Sequence, residues 1–290
     1  MINFRVFTNK VCFVLVCLFF ALALIPFIMI VWELLYTGIK HVNLDFFTKT
    51  SPSATDAILA KMGGELVAGG ILNGIIGSFT VIAIAVVFAV PFGVLSGIYI
   101  AETRHRRFAL LIQSISGMMQ GMPSLIIGVV VYLSVVRSLH SFSAFSGGVS
   151  LAIVMLPIIT SFTAGALQRL PANLKEAGLA LGGSYTRVMF KLVLPSVKKE
   201  LISGVLIAVA RALGETAPLI LTILGTSMIN WNVCEPTNSV SLLIWNFFNN
   251  SNLVDLLWSA SLFLFSTVLL LNVIAKYITK DTDNKVSFYG

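Results

Sequence analysis

Charge is what this 290-residue chain has least of: Asp, Glu, Lys and Arg make up 11% of it, against 57% hydrophobic residues. That excludes an ordinary soluble globule, whose surface needs more charge than this chain can supply. Cysteine is nearly absent. Cys12 and Cys17 lie in the first apolar run and Cys234 in a distant loop, so neither a disulfide framework nor a zinc spacing forms. His41, His105 and His140 are scattered, and no metal is expected. No G-x-x-x-x-G-K-[ST] loop occurs, so the chain does not cradle ATP in the Walker manner. No segment brings a nucleophile, a histidine and a carboxylate together, so no catalytic residue and no cofactor is expected. The net charge of +7 has no soluble domain to present it, which argues against nucleic acid as a partner.

What the chain does have is apolar length. A helix crosses about 30 Å of hydrocarbon with roughly 20 residues. Six runs qualify, at about 11–35, 73–100, 108–136, 149–167, 201–224 and 256–274, and they predict one all-α membrane domain over 1–290 with lipid as its solvent. The first run resembles a signal peptide, with Ala21-Leu22-Ala23 in the place of a cleavage site, but it continues too far and reads as an uncleaved span. Pro26 predicts a kink in it, Pro91 with Gly93 a bend in the second, Pro157 a kink in the fourth. Small residues in the second span (Gly74, Gly77, Ser78, Ala85, Ala89) invite close helix contact. Met118, Met119 and Met122 read as adaptable core packing. Basic residues set the orientation: the N-terminus, the second and fourth loops and the tail hold 14 of the 19 Lys and Arg, the opposite loops 4. Both termini are therefore expected in the cytoplasm.

Leu170 to Pro195 is the longest polar interruption, and it falls on the cytoplasmic side. Pro171 suits the first position of a helix, Gly182 a left-handed terminator, Ser184 an N-cap and Pro195 the start of the next long helix. The product is a helical hairpin far longer than a connector needs to be.

The fifth span carries Arg211-Ala-Leu-Gly-Glu215-Thr216-Ala-Pro218. Counting 1.5 Å per residue from Leu201 places Arg211 about 15 Å deep, with Glu215 one turn further on the same face. Charges at that depth are paired or line a wet cavity. Pro218 withholds a hydrogen bond from the carbonyl of Gly214 and loosens the helix there. Two readings stand. The pair neutralises itself and pins the span, or Arg211 offers its planar fork to a passing oxyanion while Glu215 restrains it otherwise.

The hairpin resembles the coupling motif of permease subunits of ATP-binding-cassette importers, E-A-A, three residues, Gly, nine residues, Ile-x-Leu-Pro. Glu176, Ala177, Gly182, Leu194 and Pro195 match its spacing; Gly178 stands at the second Ala and Leu192 at the Ile. RALGETAPL, with Ile98-Tyr99-Ile100-Ala101-Glu102 and Gly121-Met122-Pro123-Ser124, is similar to the phosphate-specific importers within that family. The resemblance implies a type I permease fold of six transmembrane helices in a bacterial inner membrane, with Glu176, Ala177, Gly178, Gly182, Leu194 and Pro195 contacting a separate ATPase. It implies Arg211, Glu215, Thr216 and Pro218 along the pathway. The implied partners are a sister permease, an ATPase dimer that binds the ATP, and a phosphate-binding protein; the implied cargo is phosphate. A sister permease, a sulfate or molybdate permease and an ion-coupled secondary transporter remain alternatives.

Overall fold

The computed structural model describes residues 2–63, 67, 69–103 and 106–286. Glu65, Arg104 and His105 lie outside the described residues, as do the side chains of Arg5, Lys61, Arg106, Lys280 and Lys285. All regular structure among the described residues is helical. In order it comprises α1 (Ile2–Gly38), α2 (Leu44–Thr48), α3 (Ala54–Met62), α4 (Leu72–Glu102), α5 (Arg106–Gly121), α6 (Ser124–Val131), a π-helical turn at Tyr132–Val136 and α7 (Arg137–Leu139). There follow α8 (Ala144–Gln168), α9 (Ala172–Ala180), α10 (Tyr185–Val188), a second π turn at Met189–Val193, α11 (Leu194–Ser196), α12 (Lys198–Leu213), α13 (Ala217–Ile220), α14 (Val240–Phe248) and α15 (Val254–Val286).

The core is α4 against α8, and the reason is glycine. Inside lipid, apolar burial drives helix association only weakly, and close backbone approach has to supply contacts instead. A Cβ on Gly93 would stand 2.8 Å from Ile159 Cγ2, one on Gly97 2.5 Å from Thr163 Cβ, and one on Gly148 2.4 Å from Ile84 Cγ2. Around that seam Val81, Ala85, Ala89, Leu151, Met155 and Ile159 are buried with Ala208 and Ala212 of α12. Both helices continue through their prolines, Pro91 and Pro157, as single elements. Serines start the buried helices: Ser143 Oγ accepts from Ser146 N at 3.1 Å, and Ser239 Oγ from Leu242 N at 3.1 Å.

Helix α1 is continuous through Pro26 and meets the bundle at its far end, where Ser259 Oγ of α15 donates to the carbonyl of Gly38 at 2.8 Å. Residues 7–30 of it are exposed, as befits a lipid-facing arm.

Two expected spans are not single helices. The stretch expected at 108–136 breaks after Gly121 and turns by 104°. Pro123 lacks the N–H to continue the ladder and drives Met122 out of helical geometry. Helix α5 thereby leaves the bundle axis, held to α8 by Gln120, whose Nε2 donates to Pro157 O at 3.3 Å and Ser161 Oγ at 3.1 Å. Met118 and Met122 are exposed in consequence, not core packing. The stretch expected at 201–224 stops at Leu213 and resumes as the short α13. Among the described residues, four helices are long and apolar enough to cross a membrane, five if the bent pair counts as one span.

The ends of the bundle are distinct. At one, the close of α4, the close of α8 and the start of α12 meet the 170–195 hairpin over Ala166, Leu167, Val188, Met189, Val193 and Val197. At the other, α2, α3 and α14 pack with the first turns of α4 and α15 around Phe46, Ile71, Val240 and Phe247.

Candidate functional site

The hairpin folds as its sequence dictates, with two adjustments. Helix α9 stops after Ala180, and Gly182 takes φ +80°, the left-handed conformation that glycine adopts without a Cβ penalty. Ser184 Oγ then accepts from Arg187 N, starting the returning arm. Pro171 stands just before the first helical residue, at the cap position. Pro195 does not open the next long helix. It lies within the returning arm, and the chain breaks at Val197 (φ −105°, ψ 14°) before α12 begins at Lys198.

The arms differ in what they show. Glu176 and Ala177 are exposed on α9, while Gly178 faces inward, where its absent Cβ leaves room for Val188 and Leu192. Leu181 at the tip is 90% exposed, and Tyr185 and Phe190 are exposed beyond it. Leu194 and Pro195 sit at the base of the returning arm, Leu194 packed on the apolar cluster at this end of the bundle.

Helix α12 connects this hairpin to the second group of candidate residues. It ends at Leu213 because Gly214 is a weak helix former and Pro218 has no N–H for the carbonyl of Gly214. Gly214 N turns to Arg211 O at 3.1 Å and Glu215 N to Ala212 O at 3.2 Å, closing the helix. The expected loosening is thus a full break. Arg211 falls in the last turn of α12, where a cation complements the negative end of the helix dipole. Its Nε lies 3.6 Å from Glu215 Oε1, an ion pair too long for a hydrogen bond. The Arg211 side chain is 47% exposed and that of Glu215 16%. Glu215 is anchored through its main chain, whose carbonyl accepts from Ser241 Oγ at 3.0 Å. Thr216 precedes α13, and its carbonyl accepts from Leu219 N and Ile220 N. Pro218 is buried, pressed against α6 where a Cβ on Gly128 would meet Pro218 Cα at 2.8 Å. Arg211 and Glu215 therefore come together as the i, i+4 spacing requires, with the guanidinium forward and the carboxylate behind it. What this arrangement can do is hold one half-exposed, multidentate cation at a helix break inside an apolar bundle.

Sequence reasoning overlooked the groups that hold these parts in place: Glu102, Tyr185 and Ser241. Glu102 accepts from Lys175 and Tyr185 of the hairpin, 73 and 83 residues away. No local spacing signals such a contact.

Residues 89–287 match the family described as the binding-protein-dependent transport system inner membrane component. The chain is 33% identical to the phosphate transport system permease protein PstA of Haemophilus influenzae over 252 residues, covering 85% of each chain. It is 31% identical to that of Yersinia pestis, covering 86% of this chain and 83% of the relative, and 29% identical to the probable phosphate transport system permease protein PstA of Methanocaldococcus jannaschii, covering 83% and 87%. Among solved structures, an inward-facing methionine ABC transporter MetNI superposes with a TM-score of 0.57 at 16% identity, over 72% of this chain and 92% of that one.

Proposed function

The chain belongs to the family of binding-protein-dependent transport system inner membrane components, with the all-helical fold of type I importer permeases, and from that premise we propose that it is a permease subunit of an ATP-driven phosphate importer. It forms half of a translocation pathway and is the non-catalytic component, with ATP bound and hydrolysed by a partner. The substrate follows from the relatives, each named for phosphate transport and matched over most of its length. The partners that fit are a sister permease of the PstC kind, two copies of a PstB-type ATPase, and a PstS-type binding protein that delivers phosphate to the outer face. Both termini and the hairpin lie in the cytoplasm, in accord with the distribution of Lys and Arg.

The observation that supports the coupling is a single short helix. Helix α12 has the hairpin at one end and the Arg211–Glu215 break at the other. Sixteen helical residues at 1.5 Å each make a lever of about 24 Å. Closure of the ATPase dimer moves a groove that holds Leu181 and the exposed face of α9, and α12 carries that displacement to Arg211. Discrete rigid-body shifts of this kind are how packed helices transmit motion. Arg211 receives the anion through its guanidinium edges while Glu215 keeps the cation from recruiting a permanent partner.

The test is reconstitution. Proteoliposomes holding this chain, a sister permease and the ATPase, supplied with binding protein, should accumulate labelled phosphate when ATP is provided on the cytoplasmic side, and not sulfate. Phosphate uptake that persists without ATP, or no ATPase retained on purification, would overturn the reading.

A further inference from the structure

Where the second membrane helix meets the hairpin, one carboxylate is shared by both arms. Glu102 is the last residue of α4, and its side chain is 16% exposed. Its Oε2 pairs with Lys175 Nζ of α9 and accepts from Tyr185 Oη at 3.0 Å, at the start of α10. Lys175 Nζ also stands 5.0 Å above the Tyr185 ring, so the three groups form a closed triangle. Partial desolvation of its hydroxyl end, although the ring is half exposed, holds the Tyr185 phenol above its ordinary value of 10.0, and it remains a proton donor throughout the physiological range.

Two features make this more than a surface ion pair. A carboxylate in the final turn of a helix opposes the helix dipole and is unfavourable by itself, so Glu102 depends on its donors. Beside the triangle lies a cavity of about 230 Å³, lined by Ala101, Leu167, Leu170, Leu174 and Val193 together with the pair. The apolar packing of the hairpin on Ile98 and Ala101 of α4 is therefore incomplete on this side. Across that gap the polar contacts hold the hairpin, and charge-assisted bonds in a half-buried setting are the stronger kind.

We infer that Glu102 is a positioning residue for energy coupling, clamping both arms of the hairpin to the end of α4. The chain itself ties the hairpin to α8 at one end and to α12 at the other. The Glu102 clamp ties it to α4, which is the partner of α8 in the core. With the clamp, a displacement of the hairpin carries α4 along with α8 and α12; without it, α8 and α12 follow the hairpin and α4 lags across the α4–α8 seam. Loss of the clamp therefore leaves ATP hydrolysis running with little transport. This rests on the permease reading above.

The experiment measures phosphate carried per ATP hydrolysed in the reconstituted complex. Glu102→Gln and Lys175→Met should each raise the ATP consumed per phosphate roughly tenfold, the effect of losing one charge-assisted bond. Tyr185→Phe, which removes a single hydroxyl, should raise it by less. The reciprocal double variant Glu102→Lys with Lys175→Glu should return the ratio to within about threefold of wild type, because the pair is restored with its charges exchanged. In parallel, spin labels at Leu95 and Leu181 in the purified complex should give a narrow distance distribution in the wild type and a broad one in Glu102→Gln. Wild-type stoichiometry in Glu102→Gln, or a double variant no better than either single one, overturns the inference. Should Glu102→Gln fail to fold, an unchanged ratio in Tyr185→Phe overturns it equally. If the wild type itself shows no ATP-driven phosphate uptake, the permease reading fails instead, and the spin-label arm still decides whether Glu102 holds the hairpin.

Discussion

Leu192 Cδ2 lies 3.0 Å from where a Cβ on Gly178 would stand, and these are the two positions at which the hairpin departs from the importer coupling motif. The departures therefore answer each other. A smaller residue on α9 admits a side chain that reaches further from the returning arm. Val188 Cγ1, at 2.9 Å from the same point, closes the pocket. Gly178→Ala alone should overpack the hairpin and destabilise the complex by about 1 to 2 kcal/mol. Leu192→Ile alone should leave a void of smaller cost. The double variant should recover part of the loss, and a double-mutant cycle on thermal unfolding, with a coupling of about 0.5 kcal/mol or more, measures it.

Gly182 tests the backbone rather than the packing. Nothing lies within 4 Å of a Cβ built there, so a substitution meets only the left-handed φ of +80°. Gly182→Ala should cost about 1 to 2 kcal/mol, Gly182→Asn less and Gly182→Val more. ATP-driven uptake should fall in the order Asn, Ala, Val while the yield of membrane-inserted protein stays level. Equal uptake in all three would mean that the turn geometry is immaterial to coupling.

Arg211 separates contact with the anion from packing. Arg211→Gln should reduce phosphate uptake by tenfold or more, and Arg211→Lys should recover part of it, because an ammonium keeps the charge and loses the planar fork. Melting temperature in detergent should change little in either, since the side chain is half exposed and makes no hydrogen bond among the described residues. If both variants transport normally, Arg211 serves the bundle and not the anion.

At the opposite end of the molecule, Asn73 should prove structural. It is 2% exposed, and its amide donates to Thr226 O at 2.8 Å and Ser51 Oγ at 2.9 Å while accepting from Ser51 N at 3.0 Å. Asn73→Ala strands the buried Ser51 N–H, while the Thr226 carbonyl keeps the Asn238 amide at 3.0 Å, and the loss should cost about 1 to 3 kcal/mol. Thermal unfolding should register that loss, and the ATP consumed per phosphate by the surviving complex should not change.

The hairpin and the Arg211–Glu215 pair were legible in the sequence because both are local. Ser184 caps the helix that follows it, Gly182 turns where only glycine turns freely, and a pair spaced i, i+4 meets on any helix. Composition likewise determined that the chain is helical and apolar: lipid requires every backbone group to be satisfied within its own segment. Tertiary structure decided the rest. Hydropathy has no term for direction, so the runs at 108–136 and 201–224 read as single spans. Pro123 and the Gly214–Pro218 break instead turn one by 104° and end the other beside Arg211. Nor does any local pattern connect Glu102 to Lys175 and Tyr185, or Gly178 to Leu192. Those relationships exist only once α4, α8 and the hairpin are packed, because a hydrogen bond or a shared pocket depends on distance in space and carries no period along the chain.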